Sequence, residues 1–214
     1  FAKGELVEAI YGYKQALKIR PDDESTYAIK LHLQAHICDW EETESEREKI
    51  STLGTVEKGI IPFPFLAMED VPERHRLRSE IYAKSIHKQN KNSLDRQTSK
   101  RSRLLRIGYF SADFNEHPVS FLLASIIESH NRDYFEVYGY SIAQTADDKM
   151  RRRLIKGFDF FNDVKDMSDQ NIALLAQRDR LDVAVDLTGY SRNGRPGIFA
   201  CRAAPIQINY LGYP

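Results

Sequence analysis

Beyond Leu104, short apolar runs alternate with longer stretches in which apolar residues recur every three or four positions. The runs at residues 105–110, 135–141, 158–162, 183–187 and 206–210 read as strands. The stretches at residues 119–130, 147–155 and 168–178, with a short piece at 197–200, read as helices. Strands alternating with helices of this length predict βαβ units and a parallel sheet, hence an α/β Rossmann-like lobe over residues 104–214. No Gly-x-Gly-x-x-Gly follows the first strand, which argues against a dinucleotide dehydrogenase.

The first half follows a helical rhythm. Gly4, Ala9, Tyr13, Ala16, Leu17 and Pro21 form a pattern: the small Ala9 and Ala16 would let a neighbouring helix approach, Tyr13 would fill the groove between them, and Pro21 would stop the helix. This is the pattern of the second helix of a tetratricopeptide unit, a repeat of about 34 residues. Asp22, Asp23 and Glu24 then favour a new helix start. The next helix is expected over residues 25–40, with Tyr27, Leu31, Ala35 and Cys38 on one face, capping a repeat array over residues 1–40. A charged helix is expected over 41–51, a break with two prolines over 59–64, and another helix over 72–87. Residues 87–103 hold hardly any apolar side chain and read as a basic tether between this region (41–103) and the lobe. A solvated linker is the plain reading, and a contact with phosphate or an acidic surface is the other.

Composition narrows the class little. Of 214 residues, 42% are hydrophobic and 29% charged, as in an ordinary globular protein. Lys plus Arg equals Asp plus Glu at 31 each, so no global field argues for nucleic acid or an anionic membrane. Cys38 and Cys201 lie far apart without metal-ligand spacing, which suits reduced thiols and a cytoplasmic setting. No stretch approaches the roughly 20 apolar residues of a membrane helix. The abrupt first and last residues give the expectation of a fragment.

Chemistry concentrates where the first strand ends. Asp113 and His117 follow the apolar run, and loops leaving the carboxyl ends of strands are where open α/β sheets bind ligands. Pro118 restricts the backbone of His117, whose imidazole could act as a base or a hydrogen-bond donor, or could simply open the next helix. Asp113 could orient the ring, bind a hydroxyl or cap the turn. A second loop, Asp186-Leu187-Thr188-Gly189-Tyr190-Ser191 with Arg192, Gly194 and Arg195, is Gly-rich and basic. Its amides and arginines would suit a phosphate or carboxylate; a flexible surface loop is the alternative. His32 and His36, four apart but without a His-Glu-x-x-His context, read as surface or packing residues.

Together these strings resemble the protein O-linked N-acetylglucosamine transferase family, in particular its bacterial tetratricopeptide members and the plant SPINDLY proteins. The resemblance begins with Gly4 to Pro21 and passes His36-Ile37-Cys38-Asp39-Trp40 and Pro62-Phe63-Pro64-Phe65. In the lobe it is carried by Leu105-Arg106-Ile107-Gly108-Tyr109, Ser111-Ala112-Asp113-Phe114, His117-Pro118 and Phe135-Glu136-Val137-Tyr138. It continues through Asp186-Leu187-Thr188-Gly189-Tyr190 and Ala204-Pro205-Ile206-Gln207 to Leu211-Gly212-Tyr213-Pro214.

The resemblance implies the first half of a GT-B-type enzyme of two Rossmann-like lobes. Such enzymes move a sugar, typically from UDP-N-acetylglucosamine (UDP-GlcNAc), to Ser or Thr hydroxyls of proteins with inversion. Neither a metal nor another cofactor is implied. His117 and Asp113 are implied as the catalytic pair, and Pro118, Gly189, Tyr190, Leu211 and Gly212 as lining the cleft. The implied partners are a nucleotide sugar and a protein or peptide acceptor selected by the repeats, with no nucleic acid and no membrane. Val119 stands where animal members carry a hydroxyl residue, and the histidine those members hold near residues 62–68 has no counterpart. The second lobe, with the family's lysine and most donor contacts, lies beyond the sequence, so the chain alone is expected to be inactive. A GDP-fucose-dependent protein fucosyltransferase and a non-catalytic repeat scaffold are the alternatives.

Overall fold

The computed structural model describes residues 3–56, 59–86 and 104–213. The chain divides into two compact units, Phe1–Lys88 and Gln89–Pro214. The boundary expected near residue 40 therefore falls inside the first unit, and the basic tether over residues 87–103 lies outside the described residues.

The first unit is helical: α1 (Lys3–Ile19), α2 (Glu24–His36), α3 (Trp40–Ser45), α4 (Arg47–Thr52), a 3-10 turn (Phe63–Ala67) and α5 (Pro72–Ile86). Asp23 opens α2 by accepting the Thr26 amide at 3.1 Å. The helix expected over residues 25–40 is shorter. It stops at His36, Cys38 turns left-handed at φ 59°, and Trp40 begins α3 instead of ending α2. The charged helix expected over 41–51 likewise divides at Glu46. There the Glu46 carboxylate meets the buried Lys30 ammonium at 2.9 Å. Leu31, Ile50, Leu53, Ile60 and Phe65 form the core. That core is why residues 1–40 do not stand apart. Arg78 is fully buried, donating to the Leu53 and Ile50 carbonyls at 2.8 and 2.7 Å, pairing with Glu69 and lying over the Phe65 ring.

The second unit is a five-stranded, wholly parallel sheet in the order β3-β2-β1-β4-β5. Its elements are β1 (Leu105–Ser111), α6 (Pro118–Glu128), β2 (Phe135–Ser141), α7 (Lys149–Gly157), β3 (Phe160–Asp163), α8 (Asp169–Arg178), β4 (Val183–Asp186), α9 (Gly197–Ala200) and β5 (Ile206–Asn209). The strand expected from residue 158 starts later because Phe158 closes α7, its amide donating to the Leu154 carbonyl at 3.1 Å.

Alternating strand residues face two cores. Tyr109, Val137 and Val185 pack with Leu123 and Ile127 of α6 and Leu154 of α7. Phe110, Tyr140 and Ala184 pack on the other face with Ile172 of α8 and Ile198 of α9. Full burial of each large apolar side chain contributes about 1.5–3 kcal/mol. Phe110 and Tyr140 also stack across neighbouring strands, ring centres 4.4 Å apart. The chain thus runs outward from β1 to β3 over α6 and α7, then returns to β4 on the opposite side of β1. The loops after β1 and β4 diverge at that point.

Candidate functional site

A crevice outside the carboxyl ends of parallel strands, where the strand order reverses, is the general ligand position in such sheets. Here it lies between β1 and β4. The buried Thr188 accepts the Ala112 amide through Oγ1 at 3.0 Å, tying the two loops together. The Leu187 amide donates to the Phe110 carbonyl at 3.0 Å. After β5 the chain joins them: the Tyr210 amide donates to Asp186 at 2.8 Å and the Tyr190 amide to Tyr213 at 2.7 Å. Backbone meets backbone here, so side chains are excluded. A Cβ on Gly189, whose φ is +58°, would sit 1.9 Å from the Tyr213 carbonyl, and one on Gly212 would sit 2.6 Å from Thr188. Gly189 and Tyr190 thus pack directly against the segment from Tyr210 to Tyr213.

His117 is the N-cap of α6. Its backbone is extended (φ −140°, ψ 147°), Pro118 takes the first helical position, and Nδ1 accepts the Val119 amide at 3.3 Å. Asp113 comes near, with 3.9 Å between its Oδ2 and His117 Nδ1. Both side chains keep solvent access, at 42% and 25%. Burial pushes the Asp113 carboxyl above its ordinary range, and the neighbouring His117 opposes this. Asp113 caps no turn with its carboxylate. Its carbonyl instead accepts the Ser120 hydroxyl at 2.6 Å and the Asn115 amide at 2.8 Å. The sequence-named pair thus shares one loop at the crevice mouth.

The Gly-rich loop behaves differently from expectation. The Thr188 and Gly189 amides both donate inward to Asp186 Oδ1 at 3.0 Å, so neither is free for an anion. Burial raises the Asp186 carboxyl, and those two amide bonds pull the other way. Arg195 also turns inward, bonding Asp169 at 2.7 Å and the Met167 carbonyl at 2.6 Å. Asp186 and Arg195 hold the loop from both ends, leaving Arg192 exposed.

Two supports escaped the sequence reading. Asp148, N-cap of α7, accepts the Arg151 amide at 2.8 Å and, through its other oxygen, the Glu116 amide at 2.6 Å. It thereby fixes the residue beside His117. Arg151 is buried under the same loop, over the Phe161 ring, with bonds to Ser141, Thr145 and Asp163. An acid before an amphipathic run signals a cap, but its second partner could not be read. Among the described residues no group of three His, Cys, Asp or Glu side chains is placed to hold a metal ion. His32 and His36 contact each other, rings 4.4 Å apart, with His36 Nδ1 2.9 Å from the His32 carbonyl. Among the described residues, Cys38 and Cys201 form no disulfide.

A parallel sheet covered by helices, its strand order reversing between β1 and β4, is the architecture of an open, doubly wound α/β protein. The chain belongs to Glycosyl transferase family 41, whose profile matches residues 37–214. It is 39% identical over 110 residues to the probable UDP-N-acetylglucosamine–peptide N-acetylglucosaminyltransferase SEC of Arabidopsis thaliana, covering 51% of this chain and 11% of that protein. It is 34% identical over 115 residues to the SPINDLY protein of the same plant, which carries the same probable activity in its name, covering 52% and 13%. A solved mutant of the Thermobaculum terrenum O-GlcNAc transferase superposes with a TM-score of 0.65 at 25% identity, over 99% of this chain and 35% of that one. The chain thus spans between a tenth and a seventh of these two curated relatives.

Proposed function

We propose that this chain supplies the amino-terminal catalytic lobe of a protein O-linked glycosyltransferase. The enzyme would move N-acetylglucosamine from UDP-GlcNAc to Ser or Thr hydroxyls of proteins, with inversion. The observation that carries this reading is the His117–Asp113 loop at the strand-order reversal, in a chain of Glycosyl transferase family 41. In the proposed reaction the acceptor hydroxyl oxygen bonds to the anomeric carbon as the bond to the diphosphate breaks, and the hydroxyl proton passes late to a base. Backbone amides and positive groups stabilise the departing charge, and the sugar nucleotide enters as substrate without a resident metal. The paired helices α1 and α2 are read as the end of a tetratricopeptide array that selects the protein acceptor. No described helix is long and apolar enough to cross a membrane, and a cytoplasmic location suits two cysteines that form no disulfide.

The test is incubation of the complete protein with labelled UDP-GlcNAc or GDP-fucose, followed by mass spectrometry of modified hydroxyls. Transfer from UDP-GlcNAc is expected. Transfer from GDP-fucose alone replaces the donor in this reading, and transfer from neither leaves a binding scaffold.

A further inference from the structure

Helix α7 carries charge of one sign. Its nine residues hold Lys149, Arg151, Arg152, Arg153 and Lys156 and no acid, in a chain whose cations and acids balance at 31 each. Met150, Arg151 and Leu154 turn inward. Lys149, Arg152, Arg153 and Lys156 recur at helical spacing on the outer face, all exposed, and line a shallow cleft of about 340 Å³. Two carboxylates reach this face. Glu128 accepts from Arg153 through both oxygens at 2.7 Å, and Asp147 stands 3.5 Å from Arg152. Among the described residues Lys149 and Lys156, at the two ends of the cleft, pair with no carboxylate. Four cations against two acids leave two positive charges in excess along about 10 Å of helix.

The position of that excess ties it to the crevice. Because α7 follows β2, its first turn lies at the carboxyl edge of the sheet. There Asp148, immediately before Lys149, accepts the Glu116 amide at 2.6 Å, one residue from His117. We propose that the outer face of α7 is a docking surface for an acidic stretch of the acceptor polypeptide, flanking the Ser or Thr that enters the crevice. This role rests on the reading of the crevice as a protein-modifying site. An extended peptide advances about 3.3 Å per residue, so about three residues run the length of the cleft, and carboxylates at alternate positions fall on the side facing it. Carboxylate is also the chemistry this face already accepts, from Glu128 and Asp147. Exposed charges of this kind select partners and speed encounter more than they add affinity.

The first test uses the 214-residue chain and two peptides, a serine flanked by glutamates and the same peptide with glutamines. In nitrogen-15 amide spectra the glutamate peptide should shift residues 149–156, less so at higher ionic strength, and the glutamine peptide should not. Silence at α7 or equal shifts from both peptides overturns the proposal, as does a response to inorganic triphosphate alone. The second test uses the complete enzyme. Lys149→Glu combined with Lys156→Glu should raise KM for the glutamate acceptor about tenfold, leave kcat as it was, and lower KM for a lysine-flanked acceptor. A misfolded lobe could not give that last gain. Unchanged KM for both acceptors, or a fall in kcat shared by both, overturns the docking role. If the complete protein transfers no sugar to any acceptor, the functional reading fails, and the spectra still decide whether α7 binds acidic peptides.

Discussion

Replacing Thr188 with valine exchanges a hydroxyl for a methyl of nearly the same shape, so no cavity opens at this buried position. What changes is the Ala112 amide, which loses its acceptor at 3.0 Å while Ala112 stays 4% exposed. A buried donor left unpaired costs about 1–3 kcal/mol, and the added methyl returns a fraction of that. The net loss should be about 1–2 kcal/mol, enough to lower the melting midpoint of a unit this size by roughly 5–10 °C. Far-UV circular dichroism in a urea titration is the suitable readout, because the single tryptophan, Trp40, lies in the helical unit. Amide exchange at Ala112 gives the local signal. It should accelerate in Thr188→Val and stay slow in Thr188→Ser, which keeps the oxygen. A valine variant within 0.5 kcal/mol of the parent (roughly the spread of neutral surface changes), with Ala112 still protected, would refute the claim that this bond ties the two loops.

Three further outcomes follow from the same geometry. Gly189→Ala must hold φ +58° and place a Cβ 1.9 Å from the Tyr213 carbonyl. The dihedral alone costs about 1–2 kcal/mol, and limited proteolysis should cut after Tyr210 faster; unchanged cleavage would contradict the close packing. Asp148→Ala releases the Glu116 amide, so kcat of the complete enzyme should fall while the chain remains folded; unaltered kcat would show that His117 needs no such support. In Asp186 the folded carboxyl lies above its ordinary 3.8, so the fold favours the neutral form. The parent's share of stability from this group is full at acid pH and declines as pH rises through the raised value. Asp186→Asn escapes that decline. Its melting temperature relative to the parent should therefore climb from acid to neutral pH; a flat or falling difference would sink the argument.

The five strands were legible because each is a compact apolar run bounded by turn residues, and the parallel class followed from their alternation with helices. His117 and Asp113 were legible as candidates because the chain offers few polar residues at the end of so apolar a run. Their contacts were not, since spacing along the chain does not say which groups meet each side chain. Thr188 stood within a quoted string without a task, its partner Ala112 being set by strand order and not by spacing. Arg195 looked like an anion contact because charge alone says nothing of direction; Asp169, at the start of α8, draws it inward. The single helix expected over residues 25–40 failed at Cys38, a residue that gives no local warning of a left-handed turn.

The placement of β1 at the centre of the sheet also governs how the lobe assembles during synthesis. β1 meets β2 early, but its other edge waits for β4, and Arg106 is joined to Asp182 across 76 residues. At a translation rate of about 5–20 residues per second, that edge stays open for roughly 4–15 seconds as the nascent chain leaves the ribosome. Throughout that interval it presents an unfilled ladder beside Ile107 and Tyr109. Chaperone demand for this protein should therefore peak before Val183 emerges and ease once β4 has docked.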